Sequence, residues 1–249
     1  MTSAVTSAMA SVTIWLGGAL LAGTAQGAPL SGIERYSGGA RAEQTLPLVV
    51  VLHGFGATPK DIIDLVTSLA VPARLWAPHA PTAVGPGWSW FPPSRAPGFA
   101  DVVPEIVAAR DLVAQSIVDE VHAHPTCGRP IVVGFSQGGV LSWALAGQQK
   151  PVVGLALPIG GALPGALHPR ARPGVTPRVR AFHGGADPRV DPVADRETQA
   201  AFASVGYDAT LRTYPGVQHT ITPAEAQDIR DAIADAVRAY GCATAPTSR

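Results

Sequence analysis

Ile131-Val132-Val133-Gly134-Phe135-Ser136-Gln137-Gly138-Gly139 is the stretch on which the fold turns. Three consecutive branched apolar residues read as a strand buried on both faces, the mark of a parallel sheet. A helix opens near Gly139, with Val140 to Ala146 as its apolar start. G-x-S-x-G between a strand and a helix is the nucleophile-elbow pattern. The serine must sit on a strained turn that lifts its Oγ clear of the sheet. Side chains two before and two after would collide with the neighbouring strand and helix, hence glycine at both places. The helix start adds a positive dipole end that favours a developing anion. A Gly/Ser turn without chemistry is the competing reading, and the strand–turn–helix setting weighs against it.

The rest of the chain repeats this alternation. Leu48 to Leu52 is a second buried strand, ending in His53-Gly54. Pro59 to Ala70 reads as a helix with Thr58 as N-cap and Pro59 in its first turn. Arg74 to Ala77, Val152 to Ile159, Val179 to Phe182 and Ala209 to Tyr214 read as strands. Pro104 to His124, Pro192 to Val205 and Pro223 to Tyr240 read as helices, while Ala80 to Gly98, rich in Pro and Gly, reads as loop. Strands separated by helices predict an α/β fold, a mostly parallel doubly wound sheet with helices on both faces.

Composition narrows the function. Among 249 residues, Lys plus Arg and Asp plus Glu each number 18, so no basic excess exists to hold nucleic acid. Hydrophobic residues are 47% and charged residues 14%, enough apolar content to exclude a mainly disordered chain. Two cysteines are too few for a zinc cluster or a disulfide framework. No metal or organic cofactor is implied.

In doubly wound sheets, sites lie beyond the carboxyl ends of strands. An activated serine needs a base, and the base an acid that holds its tautomer, in the chain order Ser, Asp or Glu, His. Three histidines follow Ser136: His168, His183 and His219. His219 lies after the last strand, in Tyr214-Pro215-Gly216-Val217-Gln218-His219, and is the expected base; His183, a strand-end residue, is the alternative. Asp187, in Gly184-Gly185-Ala186-Asp187-Pro188, is the expected acid, with Asp191 as alternative. Asp191 and Asp195 read as a helix cap and a solvated helix face. An oxyanion needs two backbone N–H donors. Gln137, after the nucleophile, supplies one, and Phe55, in His53-Gly54-Phe55-Gly56, the other. His53 reads as a brace for that loop.

These segments, His53 to Gly56, Gly134 to Gly139, His183 to Val190 and Pro215 to His219, resemble the phospholipase/carboxylesterase family of α/β-hydrolases from about Leu46 to Tyr240. The resemblance implies the α/β-hydrolase fold and the same triad, Ser136, Asp187 and His219, with Phe55 and Gln137 as N–H donors. It also implies that Trp88, Trp90 and Phe91 form an aromatic wall beside an acyl pocket. The expected activity is hydrolysis of carboxylic esters, extending to thioesters or lysophospholipids, through an acyl-enzyme. The expected partner is a small-molecule or lipid-like ester. Amide or peptide cleavage by the same residues is the enzymatic alternative, and a ligand-binding relative without activity is the non-enzymatic one. Nothing in the sequence speaks to oligomeric state.

No charged side chain precedes Glu34. The apolar run from Ala8 to Gly23, followed by Ala25-Gln26-Gly27-Ala28, reads as a signal peptide over residues 1–28, although its start lacks Lys or Arg. The expected location is therefore periplasmic or secreted. An uncleaved anchor, or a cytoplasmic protein without a targeting segment, is the alternative; the run is short for a stable membrane span. Residues 29–45 read as a lead-in, 46–242 as one catalytic domain and 243–249 as a frayed tail. Cys127 and Cys242 fall at the ends of helices that finish at the amino edge of the sheet, away from the site. An oxidising compartment would allow a Cys127–Cys242 disulfide.

Overall fold

The computed structural model describes residues 30–242. The predicted signal peptide and the predicted frayed tail lie outside the described residues.

Leu48 to Leu52 is buried at every position, and its side chains divide between two cores. Leu48, Val50 and Leu52 face one, Val49 and Val51 the other. This is the two-residue strand period applied to a sheet covered on both sides. The strands are β1 (Gly32–Ser37), β2 (Leu48–Leu52), β3 (Ala73–Pro78), β4 (Thr82–Val84), β5 (Gly87–Ser89), β6 (Ile131–Phe135), β7 (Leu155–Ile159), β8 (Arg178–Gly184) and β9 (Ala209–Tyr214). The helices are α1 (Pro59–Thr67), α2 (Val103–Ala123), α3 (Gln137–Ala146), α4 (Pro192–Ser204) and α5 (Pro223–Tyr240). Seven strands form one sheet in the order β1-β3-β2-β6-β7-β8-β9. All neighbours are parallel except β1 and β3.

Helices α2, α3 and α4 cover one face, and α1 and α5 the other. All residues of α3 are buried, which is why its sequence shows no polar stripe. The chain leaves β2 for β3 on one side and returns as β6 on the other. The carboxyl ends of β2 and β6 therefore form the switch point where such sheets place their sites.

Two elements depart from the sequence reading. The lead-in contains β1, an antiparallel edge strand with Ile33 opposite Ala77 and Tyr36 opposite Arg74. An edge strand has one neighbour and keeps charges such as Glu34 and Arg35, so it shows no apolar run. Inside the expected loop, β4 and β5 form a hairpin whose Trp88 bridges to Ala57. Helix α1 is shorter than expected, ending at Thr67. Its N-terminus is capped as predicted: the Asp61 carboxylate accepts from the Thr58 N–H at 2.7 Å and Oγ1–H at 2.8 Å. No described helix is long and apolar enough to cross a membrane.

At the amino edge, α2 ends at Ala123, and Cys127 follows with its N–H on the Leu46 carbonyl at 3.0 Å. Cys127 is bonded to Cys242, just past α5, with Cα atoms 5.9 Å apart. The bond spans 115 residues of sequence. A closure that long removes much freedom from the unfolded chain, in the chain-entropy account about 3–5 kcal/mol. Replacing both cysteines by serine is expected to lower unfolding free energy by that order and leave activity per folded molecule unchanged. Chemical denaturation and initial rates on the same preparations check both halves.

Candidate active site

Ser136 stands between β6 and α3 with φ 56° and ψ −115°. Outside glycine, only Phe99 shares a positive φ among the described residues. Such backbone is costly and persists where its surroundings enforce it. A Cβ on Gly134 would lie 2.2 Å from the Gly138 carbonyl oxygen, and one on Gly138 would lie 2.2 Å from that of Leu52. The bare glycines let α3 begin against β2 and force the turn that raises Ser136. The helix starts at Gln137, two residues earlier than the sequence suggests.

His219 and Asp187 meet Ser136 from two other turns. His219 Nε2 lies 3.0 Å from Ser136 Oγ, and His219 Nδ1 lies 2.6 Å from Asp187 Oδ2. The Phe135 ring packs 4.7 Å from the His219 ring and limits its rotation. Asp187 Oδ1 accepts the N–H groups of Arg189 at 2.8 Å and Val190 at 3.0 Å. Burial alone would raise the Asp187 pKa; the bonds from His219, Val190 and Arg189 outweigh it and lower the pKa.

The alternatives fall elsewhere. Asp191 is the N-cap of α4, accepting from the Val193 N–H at 2.8 Å, as expected of it. His168 bonds to the Leu163 carbonyl at 3.0 Å. His183 is fully buried behind the acid. Asp195 corrects the sequence reading: it does not lie on a solvated face but is wholly buried. Its Oδ2 is 2.7 Å from His183 Nδ1, and its Oδ1 accepts the Trp143 Nε1–H at 2.8 Å. Nothing in the local pattern marks it, because its partners come from α3 and β8.

The loop after β2 closes the site. A Cβ on Gly54 would stand 3.3 Å from Ser136 Cβ, so this backbone passes directly over the serine. The loop is pinned by the Gly56 N–H on the Trp88 carbonyl at 2.8 Å and by the Trp88 N–H on the Ala57 carbonyl at 3.0 Å. His53 is fully buried; its Nδ1 lies 2.8 Å from the Gly54 carbonyl, and its Nε2 accepts the Ala80 N–H at 3.3 Å. The brace expected of it is what the structure contains. The Gln137 N–H sits in the first turn of α3, where no carbonyl lies one turn back to accept it.

The aromatic wall needs correction. Trp90 and Phe91 are each 3% exposed and belong to the core. The Trp90 indole N–H donates to the His53 carbonyl at 2.9 Å. The Gln137 side chain accepts from the Trp90 N–H at 3.0 Å and donates to the Phe91 carbonyl at 2.7 Å. These two residues hold the loop and Gln137 through their polar groups, and their side chains pack into the core. Trp88 is half-buried, edge-on to His79 at 5.2 Å. A cleft of about 610 Å³ opens beside the acid, lined by Phe99, Ala162, Asp187, Arg189, Val190 and Glu197. Neither Phe99 nor Arg189 carries an expected role in the sequence reading.

A mostly parallel sheet with a serine lifted on a strained turn at its switch point defines an α/β-hydrolase. The chain matches the phospholipase/carboxylesterase family over residues 38–237, most of its length, and it belongs to that family of carboxylic ester hydrolases. It is 26% identical over 212 residues to acyl-protein thioesterase 1 of Gibberella zeae, covering 76% of this chain and 89% of that protein. Among solved structures, esterase PE8 superposes with a TM-score of 0.70 at 23% identity, over 84% of this chain and 99% of that one. The phospholipase/carboxylesterase of Dyadobacter fermentans does so at 0.61 and 26% identity, over 83% and 98%.

One acidic group near the site has only the Thr222 backbone N–H close to its carboxylate. Glu225, in the first turn of α5, is fully buried with neither carboxylate oxygen hydrogen-bonded among the described residues. Burial raises its pKa from 4.5 to about 7. The folded protein keeps this proton where the unfolded chain has lost it. The stability it contributes is therefore full below pH 4.5 and is lost as pH rises through about 7. Glu225→Gln is expected to match wild type near pH 4 and to exceed it by about 3 kcal/mol near pH 8. Urea denaturation at both pH values measures the difference.

Proposed function

We propose that Ser136, His219 and Asp187 are the nucleophile, base and acid of a serine esterase. The observation that carries this is the pair of contacts on His219, Nε2 to Ser136 Oγ at 3.0 Å and Nδ1 to Asp187 Oδ2 at 2.6 Å. Ser136 Oγ attacks the ester carbonyl as His219 Nε2 takes its proton. The oxyanion is held by the N–H groups of Gln137 and Phe55. His219 then protonates the leaving alcohol, and Asp187 stabilises the imidazolium. Water, deprotonated by His219, releases the acid from the acyl-enzyme. Thioester cleavage is the second reading, favoured by the name of the Gibberella relative, since the same groups serve a thiolate leaving group.

Ser136→Ala is expected to lose about 10⁴-fold or more in kcat on nitrophenyl esters with the fold unchanged. Asp187→Asn is expected to lose heavily through the wrong His219 tautomer, whereas Asp191→Asn stays near wild type. A Ser136→Ala enzyme keeping a tenth of the rate would remove the assignment. Parallel rates on ester and thioester pairs of equal acyl length rank the two readings.

We also infer export. The charge-free apolar start ending in small residues supports it, as does the Cys127–Cys242 bond, which suits an oxidising compartment. N-terminal sequencing of the mature protein is expected to begin near Ala28 or Pro29; a start at Met1 in the cytoplasmic fraction would overturn it.

A further inference from the structure

His183 sits behind Asp187, and every polar atom it owns is engaged without water. Its Nδ1 is 2.7 Å from Asp195 Oδ2, and its Nε2 is 3.0 Å from the Val190 carbonyl and 3.3 Å from Asp187 Oδ2. The Val190 carbonyl can only accept, so Nε2 must carry a hydrogen. Nδ1 and Asp195 then hold one further proton between them. Burial works to lower the His183 pKa, and the bond and charge of Asp195 more than reverse it, so that pair keeps its proton. Asp195 is fixed in turn by the Trp143 indole N–H at 2.8 Å. The other titratable groups that act on His183 are Asp187 and Glu225.

The acid loop is thereby gripped from both sides. The Val190 N–H donates to Asp187 Oδ1, while the Val190 carbonyl receives His183. The oxygen His183 approaches, Oδ2, is the one His219 binds. We propose that His183 and Asp195 are positioning residues for the acid: Asp195 holds the ring so that Nε2–H fixes the 187–190 turn and aims Asp187 Oδ2 at His219. The proposal rests on the triad reading. Neither residue touches substrate; both act through Asp187.

The test compares His183→Asn with His183→Gln, in wild type and in Asp187→Asn, using a nitrophenyl ester. A glutamine amide nitrogen reaches the place of Nε2 and can still donate to Val190; an asparagine amide cannot. His183→Asn is expected to lower kcat about 10- to 100-fold with KM within about twofold, since a misaimed acid spoils the transition state and leaves ground-state binding alone. His183→Gln is expected to recover most of that loss. In Asp187→Asn the same His183→Asn change is expected to cost less than about twofold, because there is no carboxylate left to aim. Asp195→Ala gives an independent arm should His183→Asn fail to fold. It leaves both His183 Nδ1 and the Trp143 indole N–H without the carboxylate that holds them, so kcat is expected to fall several-fold, again only while Asp187 is present. Equal cost with and without Asp187, or equal loss in Gln and Asn, overturns the proposal. Ser136→Ala separates the two claims: if it stays active the triad reading fails, and if it is dead while His183→Asn keeps its kcat, only this inference fails.

Discussion

Gly138 approaches the Leu52 carbonyl so closely that a Cβ there would stand 2.2 Å from the oxygen. That approach sets how tightly α3 is drawn against β2. It requires the chain to reverse within a single residue, and Ser136 takes the strain at φ 56°. Interiors packed at this density transmit such a constraint rather than absorb it. The loop after β2 passes over the serine, the Phe135 ring limits His219, and α3 becomes a helix buried on every side. A side chain at 138 would push α3 off the sheet and move the serine away from the histidine that reaches it from β9.

From Ser136 the polar contacts run in a ring. Ser136 meets His219, His219 meets Asp187, Asp187 meets His183, His183 meets Asp195, and Asp195 meets Trp143. Trp143 lies two turns along the helix that Ser136 begins, so the ring closes through α3 itself. Buried charged groups are tolerated only when their hydrogen-bonding capacity is met, and a partly met network costs more than an apolar core. Here the two inner members, His183 and Asp195, lack exposure altogether and lack no partner. Glu225 is the contrast: buried nearby with no hydrogen bond of normal geometry to its carboxylate, it has its pKa pushed up to about 7 by burial.

What could be read from the sequence was what depends on neighbours in the chain. The buried strands announce themselves by unbroken apolar runs, the elbow by its glycines, and His219 and Asp187 by the strand ends they follow. What could not be read depends on partners far away. Strand β1 looks like a polar lead-in because an edge needs only one apolar face. Asp195 sits among charged neighbours in α4 and looks solvated; only Trp143 and His183, 52 and 12 residues distant, reveal it as buried. Trp90 and Phe91 invite a reading as ligand-facing aromatics, yet the direction of an indole N–H or a carbonyl is not written in residue type.

The segment from Ser89 to Phe91 also ties together the two proposed oxyanion donors. Gln137 turns its side chain to this segment, bonding the Trp90 N–H and the Phe91 carbonyl. That leaves its backbone N–H at the helix start for the site. Trp90 then reaches the His53 carbonyl with its indole, and the Trp88 backbone holds Gly56 and Ala57, the two residues that follow Phe55. One short hairpin thus clamps the helix that offers Gln137 and the loop that offers Phe55. Donors preorganised in this way need no rearrangement when charge appears on the substrate, and such preorganisation is the largest contribution a site of this kind makes. The hairpin reads as irregular loop in the sequence, but it fixes the distance between those two groups.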